Sequence, residues 1–147
     1  GYQLLSELGY NIYPEPLAVR KADVTDKADC LKKLVPIMQQ SQIDFLNAPE
    51  HGNAVILDLV EKYDTGWTYS EGVAEFSVAQ QKKLGLVAND KASGVFGQFD
   101  PARMASIVKD FTPFLVTAGS ISQAAASAID PSALYTNEFI DTSIKMD

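Results

Sequence analysis

His51 is the only histidine of the chain and Cys30 the only cysteine, so nucleophilic chemistry has one imidazole and one thiol to draw on. A catalytic triad needs a base that takes a proton near neutral pH, and histidine is the usual one. His51 falls in Pro49-Glu50-His51-Gly52, the first turn of an expected helix, where the helix N-terminus disfavours its cation. It reads as a solvated surface histidine. Cys30 precedes Leu31 on the expected buried side of a helix and reads as a small buried hydrophobe, since no paired base accompanies it. The carboxylates Asp23, Asp26, Asp29, Glu61, Asp64, Glu71 and Glu75 are scattered. None has the Asp-x-Asp-x-Asp-Gly spacing of a calcium loop, and they read as a solvated acidic face. Gly94-Val95-Phe96-Gly97 lacks both the Lys-Ser/Thr pair and the preceding strand of a phosphate cradle. These residues point away from catalysis, metal and cofactor, which leaves binding through other side chains as the role to weigh against packing.

The aromatic residues are the better candidates for it. Phe45, Phe76 and Phe111 sit at helical spacing and read as core. Tyr10, Tyr13, Trp67 and Tyr69 fall in extended or loop segments, where flat rings with polar tips can stack on a ligand. Packing is the competing role for each of them.

The elements that must position these rings are mostly helices. Residues 2–8 read as a helix stopped by Gly9, and the prolines of Tyr13-Pro14-Glu15-Pro16 hold the next stretch extended. Leu17 to Lys21 reads as a strand, and nothing else in the chain looks able to pair with it. Thr25 or Asp26 is the expected cap of a helix whose apolar face is Leu31, Leu34, Val35, Met38, Phe45 and Leu46, kinked at Pro36. Pro49 can open the next helix, which runs to Asp64 before a loop from Thr65 to Tyr69. Ser70 caps a further helix ending at Gly85, residues 86–99 read as a loop, and Asp100-Pro101 is a cap followed by a first-turn proline. Met104, Ile107, Val108, Phe111 and Leu115 form that helix's buried stripe, ended by Gly119. Residues 120–129 favour no structure, Asp130-Pro131 opens a short turn of helix, and Thr136 is the expected cap of another through Phe139.

With 147 residues, 46% hydrophobic and 21% charged, the chain has the composition of a globular domain. Its net charge of −7 argues against nucleic acid and anionic membrane surfaces. No apolar run is long enough to span a bilayer. An unpaired strand needs partners from elsewhere, so the chain is expected to be a piece of a larger protein.

In order and spacing, Gly9-Tyr10-Asn11-Ile12-Tyr13-Pro14-Glu15-Pro16-Leu17-Ala18-Val19, then Leu31-Lys32-Lys33-Leu34-Val35-Pro36, then Thr136-Asn137-Glu138-Phe139-Ile140-Asp141 resemble ABC-transporter substrate-binding proteins. The thiamine-pyrimidine-precursor-binding family, with its riboflavin-binding branch, is the nearest group. The resemblance implies an α/β parent fold, the two-lobed type II periplasmic binding protein, of which this chain is a mostly α-helical C-terminal portion with one hinge-type strand, Leu17–Lys21. Residues 1–16 would be the tail of the second lobe and the crossing segment, and residues 17–147 part of the first lobe. The implied function is capture of a small heteroaromatic vitamin or precursor in an interlobe cleft for an ABC permease, in a periplasmic or extracellular membrane-anchored protein whose signal or anchor lies outside this chain. Tyr13 would stack on or hydrogen-bond the ring, Glu15 would accept from ring N–H or ribityl hydroxyl groups, and Tyr10 and Trp67 complete the ligand-binding set. The portion alone is expected to bind weakly and to self-associate. The rivals are a pyrimidine-precursor synthase-like enzyme and a helical protein-interaction module without a small ligand.

Overall fold

The structure, a computed structural model, describes residues 3–63 and 66–147. Tyr2, Asp64 and Thr65, at the ends of expected elements, lie outside the described residues. Among the described residues six α-helices follow one another: α1 (Lys21–Asp26), α2 (Ala28–Asn47), α3 (Glu50–Tyr63), α4 (Glu71–Leu84), α5 (Pro101–Thr117) and α6 (Gln123–Ser127), with 3₁₀ turns at Leu5–Leu8 and Pro131–Leu134. Among the described residues helix makes up 59% and strand 1%. Among the described residues the only β pairing is an isolated antiparallel bridge, Asn89 to Phe96.

This corrects the expected fold class. The two-lobed α/β architecture and its hinge-type strand are not what the chain forms: Leu17 to Arg20 runs without strand partners and Lys21 already enters α1. Local charge explains the helix start. Arg20 Nε lies 2.9 Å and Lys27 Nζ 3.2 Å from the Asp23 carboxylate, pairs at i,i+3 and i,i+4 that favour helix over strand. Thr25 and Asp26 therefore lie inside α1 rather than capping α2. Thr136 caps no helix either; its hydroxyl accepts from Glu138 N–H (3.1 Å) in a turn.

Three carboxylates, the half-buried Asp23 and the exposed Asp130 and Asp141, are held below the ordinary aspartate value of 3.8: Asp23 by Arg20 and then Lys27, Asp130 by the Ser132 hydroxyl and then its N–H, and Asp141 likewise by Ser143. A folded value below the unfolded one contributes stability that is present above the unfolded value and lost as pH falls through the folded one. Helical ellipticity is therefore expected to hold steady down to about pH 4 and to decline only below the ordinary value of 3.8. A decline centred between about pH 5 and 6 would contradict this.

α4 and α5, by contrast, start on the caps expected of them. Ser70 Oγ accepts from Val73 N–H (3.4 Å) and Gly85 takes φ 59° at the end of α4. Asp100 Oδ1 accepts from Arg103 N–H (2.6 Å), with Pro101 in the first turn of α5. α2 runs through Pro36 without a break.

The chain divides into two compact units. One comprises Gly1–Leu31 and Gln98–Phe139, in which α5 packs against α6 and the Pro131–Leu134 turn. Asn137 ties its loops: Oδ1 accepts from Phe99 N–H and Nδ2 donates to Phe99 O, both at 2.9 Å. The other comprises Lys32–Gly97 and Ile140–Asp147, with α3 packed on α4. Ile43, Leu46, Ala74, Val78, Val95 and Phe96 are buried there. The buried stripe of α2 is thus shifted from expectation: Leu31, Gln39, Ile43 and Leu46 are covered, whereas Leu34, Met38 and Cys30 are exposed. Gly52 lets α3 approach α2, since a Cβ there would lie 2.7 Å from the Phe45 ring.

Candidate ligand-binding site

Tyr13 is gripped by its own unit. Its ring stands edge-on to Phe99 with centroids 4.9 Å apart, and the Arg103 guanidinium lies 3.9 Å from the ring centroid. Its hydroxyl accepts from Asp100 N–H at 2.8 Å, at the very start of α5. Arg103 also donates through Nε to Asn11 O (3.1 Å) and through Nη2 to Ile12 O. One arginine on the first turn of α5 therefore fixes the extended segment 11–13 by two backbone bonds and one cation–π contact. Phe99 meets Tyr135 on its other side, with centroids 5.5 Å apart. Tyr10 rests on Phe111 (4.9 Å) in the same unit, and Glu15 stands exposed beyond Tyr13. With its hydroxyl, face and edge all engaged, Tyr13 organises this segment rather than presenting a free stacking surface.

Trp67 belongs to the other unit and is placed differently. It is 58% exposed and stacks on Tyr69, with centroids 4.8 Å apart and planes 29° from parallel. Beside it opens a groove of about 370 Å³ lined by Ile56, Leu59, Val60, Tyr63 and Trp67. The 3.6-residue repeat of α3 puts Ile56, Leu59, Val60 and Tyr63 on one face, and Trp67 completes the lining. The only side-chain polar groups of the lining are the Tyr63 hydroxyl and the Trp67 indole N–H. A second hollow of about 280 Å³ lies between α5 and α6, lined among others by Lys109, Thr112, Pro113 and Gln123.

The four expected ligand residues are thus divided between the units. Tyr10, Tyr13 and Glu15 follow one another in the first, and Trp67 stands at the groove in the second. Arg103 and Phe99, which hold the Tyr13 segment, carried no signal in the sequence, since their partners lie about ninety residues away. Among the described residues no group of three His, Cys, Asp or Glu is placed to hold a metal, and no helix is long and apolar enough to cross a membrane. Comparison with protein-family models, with curated proteins and with solved structures finds no match.

Proposed function

We propose that this chain serves solute capture: it forms part of the binding component that hands a small heteroaromatic vitamin or vitamin precursor to a membrane permease. The observation that carries the reading is the Trp67 groove, where an exposed indole already stacked on Tyr69 flanks a space of about 370 Å³. That volume lies at the lower end of small-molecule sites, about 300–1,000 Å³. The ordered resemblance of the segments around Tyr10–Pro16, Leu31–Pro36 and Thr136–Asp141 supports the same class of solute. A planar ring would enter edge-first against Leu59 and Val60 and stack on the open face of Trp67, with apolar contact supplying affinity and the indole N–H orientation.

A groove so poor in polar groups also suits the apolar side chains of a partner helix. The exposed apolar residues Ile37, Phe76 and Leu86 in the same unit favour that second reading. Calorimetric titration with a panel of solutes separates the two. Flavin and aminopyrimidine compounds are expected to bind with dissociation constants of about 10 µM to 1 mM, weak because one open groove supplies few contacts. Sugars and amino acids should give no heat. Trp67→Ala should weaken ring binding about five- to tenfold, the worth of one stacked pair. Absence of ring binding, with an amphipathic helical peptide bound instead, would transfer the groove to the interaction-module reading.

A further inference from the structure

The hollow of about 280 Å³ between α5 and α6 lies wholly inside one compact unit. Its α5 wall is Lys109, Thr112, Pro113 and Val116, one face of that helix, and Gln123 and Ala126 stand opposite on one face of α6. Pro113 lies inside α5 and has no N–H, so it cannot return the regular helical bond to Lys109 O. A helix carbonyl points along the axis towards the residue four places on, which here is Pro113, a lining residue together with Lys109. The adjacent hydroxyl does not serve instead, because Thr112 Oγ1 donates to Val108 O. The hollow thus borders a backbone acceptor that α5 leaves without its usual donor. Lys109 also brings a cation, and among the described residues it takes part in no ion pair. Across from it the Gln123 carboxamide is loosely held, its Nε2 reaching Ser127 Oγ at 3.5 Å, beyond the usual hydrogen-bond length.

We propose that this hollow binds a small 2-hydroxycarboxylate with a short branched apolar chain. The carboxylate pairs with the Lys109 ammonium and accepts from Gln123 Nε2, and the hydroxyl donates to Lys109 O. The branched chain rests on Pro113, Val116 and Ala126. An ammonium in place of the hydroxyl would stand beside that of Lys109, so hydroxy acids suit the site and amino acids do not. The volume lies just under the usual small-molecule range of about 300–1,000 Å³, which matches a ligand of this size. With a net charge of −7 the chain as a whole repels anions, so any preference for a carboxylate over its neutral amide has a local source.

Three probes of nearly one shape separate the contributions: 2-hydroxy-3-methylbutanoate, 3-methylbutanoate without the hydroxyl, and 2-hydroxy-3-methylbutanamide without the charge. Each is titrated into the full chain and followed by the NMR shifts of the α5 and α6 amides. The hydroxy acid should give saturable shifts with a dissociation constant of about 1 mM. It should bind about fivefold more tightly than the acid lacking the hydroxyl, the worth of one hydrogen bond, and about threefold more tightly than the amide, the worth of an exposed ion pair. Pro113→Ala restores the N–H and relieves the helix, so this variant folds. It should make the two acids bind equally while the preference for carboxylate over amide stays. Lys109→Gln should do the reverse, erasing the preference for carboxylate and keeping that for the hydroxyl. Shifts that do not saturate by about 20 mM hydroxy acid, or either preference surviving its own variant, overturn the proposal.

Discussion

Replacing Gln39 by leucine is expected to lower the unfolding free energy by about 2–4 kcal/mol, a large effect for one amide. Gln39 is 5% exposed and makes three hydrogen bonds, to Phe96 O, Asp141 O and Asp141 N–H. Each is worth about 1 kcal/mol net, and leucine leaves the three backbone groups facing an apolar side chain, which adds part of their desolvation cost. The fit at this position is close, since Gly97 lies against the Gln39 stem, where an added Cβ would meet Cγ at 3.4 Å. Urea unfolding should show a lower midpoint at unchanged slope. A midpoint equal to that of the unaltered chain would mean that water replaces the amide without loss.

Leu46→Ala is expected to cost about as much or more, roughly 2–5 kcal/mol, for the opposite physical reason. Leu46 is 1% exposed and the largest side chain so deeply buried among the described residues. Its replacement removes apolar contact and leaves a cavity, and Phe45 beside it is already pressed against Gly52 and has little freedom to refill it. Thermal unfolding followed by ellipticity gives the comparison. A loss below about 1 kcal/mol would mean that α2 and α3 close over the space without cost.

What the sequence reveals of this fold is what local chemistry determines. Ser70, Gly85, Asp100 and Pro101 punctuate helices because their signals act within four residues. The same logic holds for α6, where Ser122 caps a run of alanines (Ala125 N–H to Ser122 Oγ, 3.1 Å); alanine is the strongest helix former, so a segment whose apolar pattern favours no structure is helical by propensity. Leu17–Lys21 misleads for the complementary reason. Alternation makes a residue run compatible with a strand, but only a partner makes it one, and here the Arg20–Asp23–Lys27 charges turn the chain into helix first. The polar fastenings at Gln39, Asn89 and Asn137 span 102, 57 and 38 residues, and no spacing rule reaches that far. They also explain why the buried stripe of α2 contains a glutamine that an apolar pattern skips.

The candidate site was legible by residue type and not by arrangement. Tyr13 and Trp67 both stand out as rings outside helices, yet one is fully engaged by Asp100, Phe99 and Arg103 while the other is open. That difference moves the weight of the ligand-binding reading from the segment before Leu17 to the groove on α3.

Trp67 is the only tryptophan in the sequence, so its emission reports on that groove alone. Titration of the chain with an aminopyrimidine, followed by tryptophan emission, tests solute capture most directly. The account predicts a saturable change with a midpoint between about 10 µM and 1 mM, abolished by Leu59→Asp in the groove lining. Emission that stays constant to about 5 mM ligand, well past any specific affinity of this class, or a change that Leu59→Asp leaves intact, would contradict it.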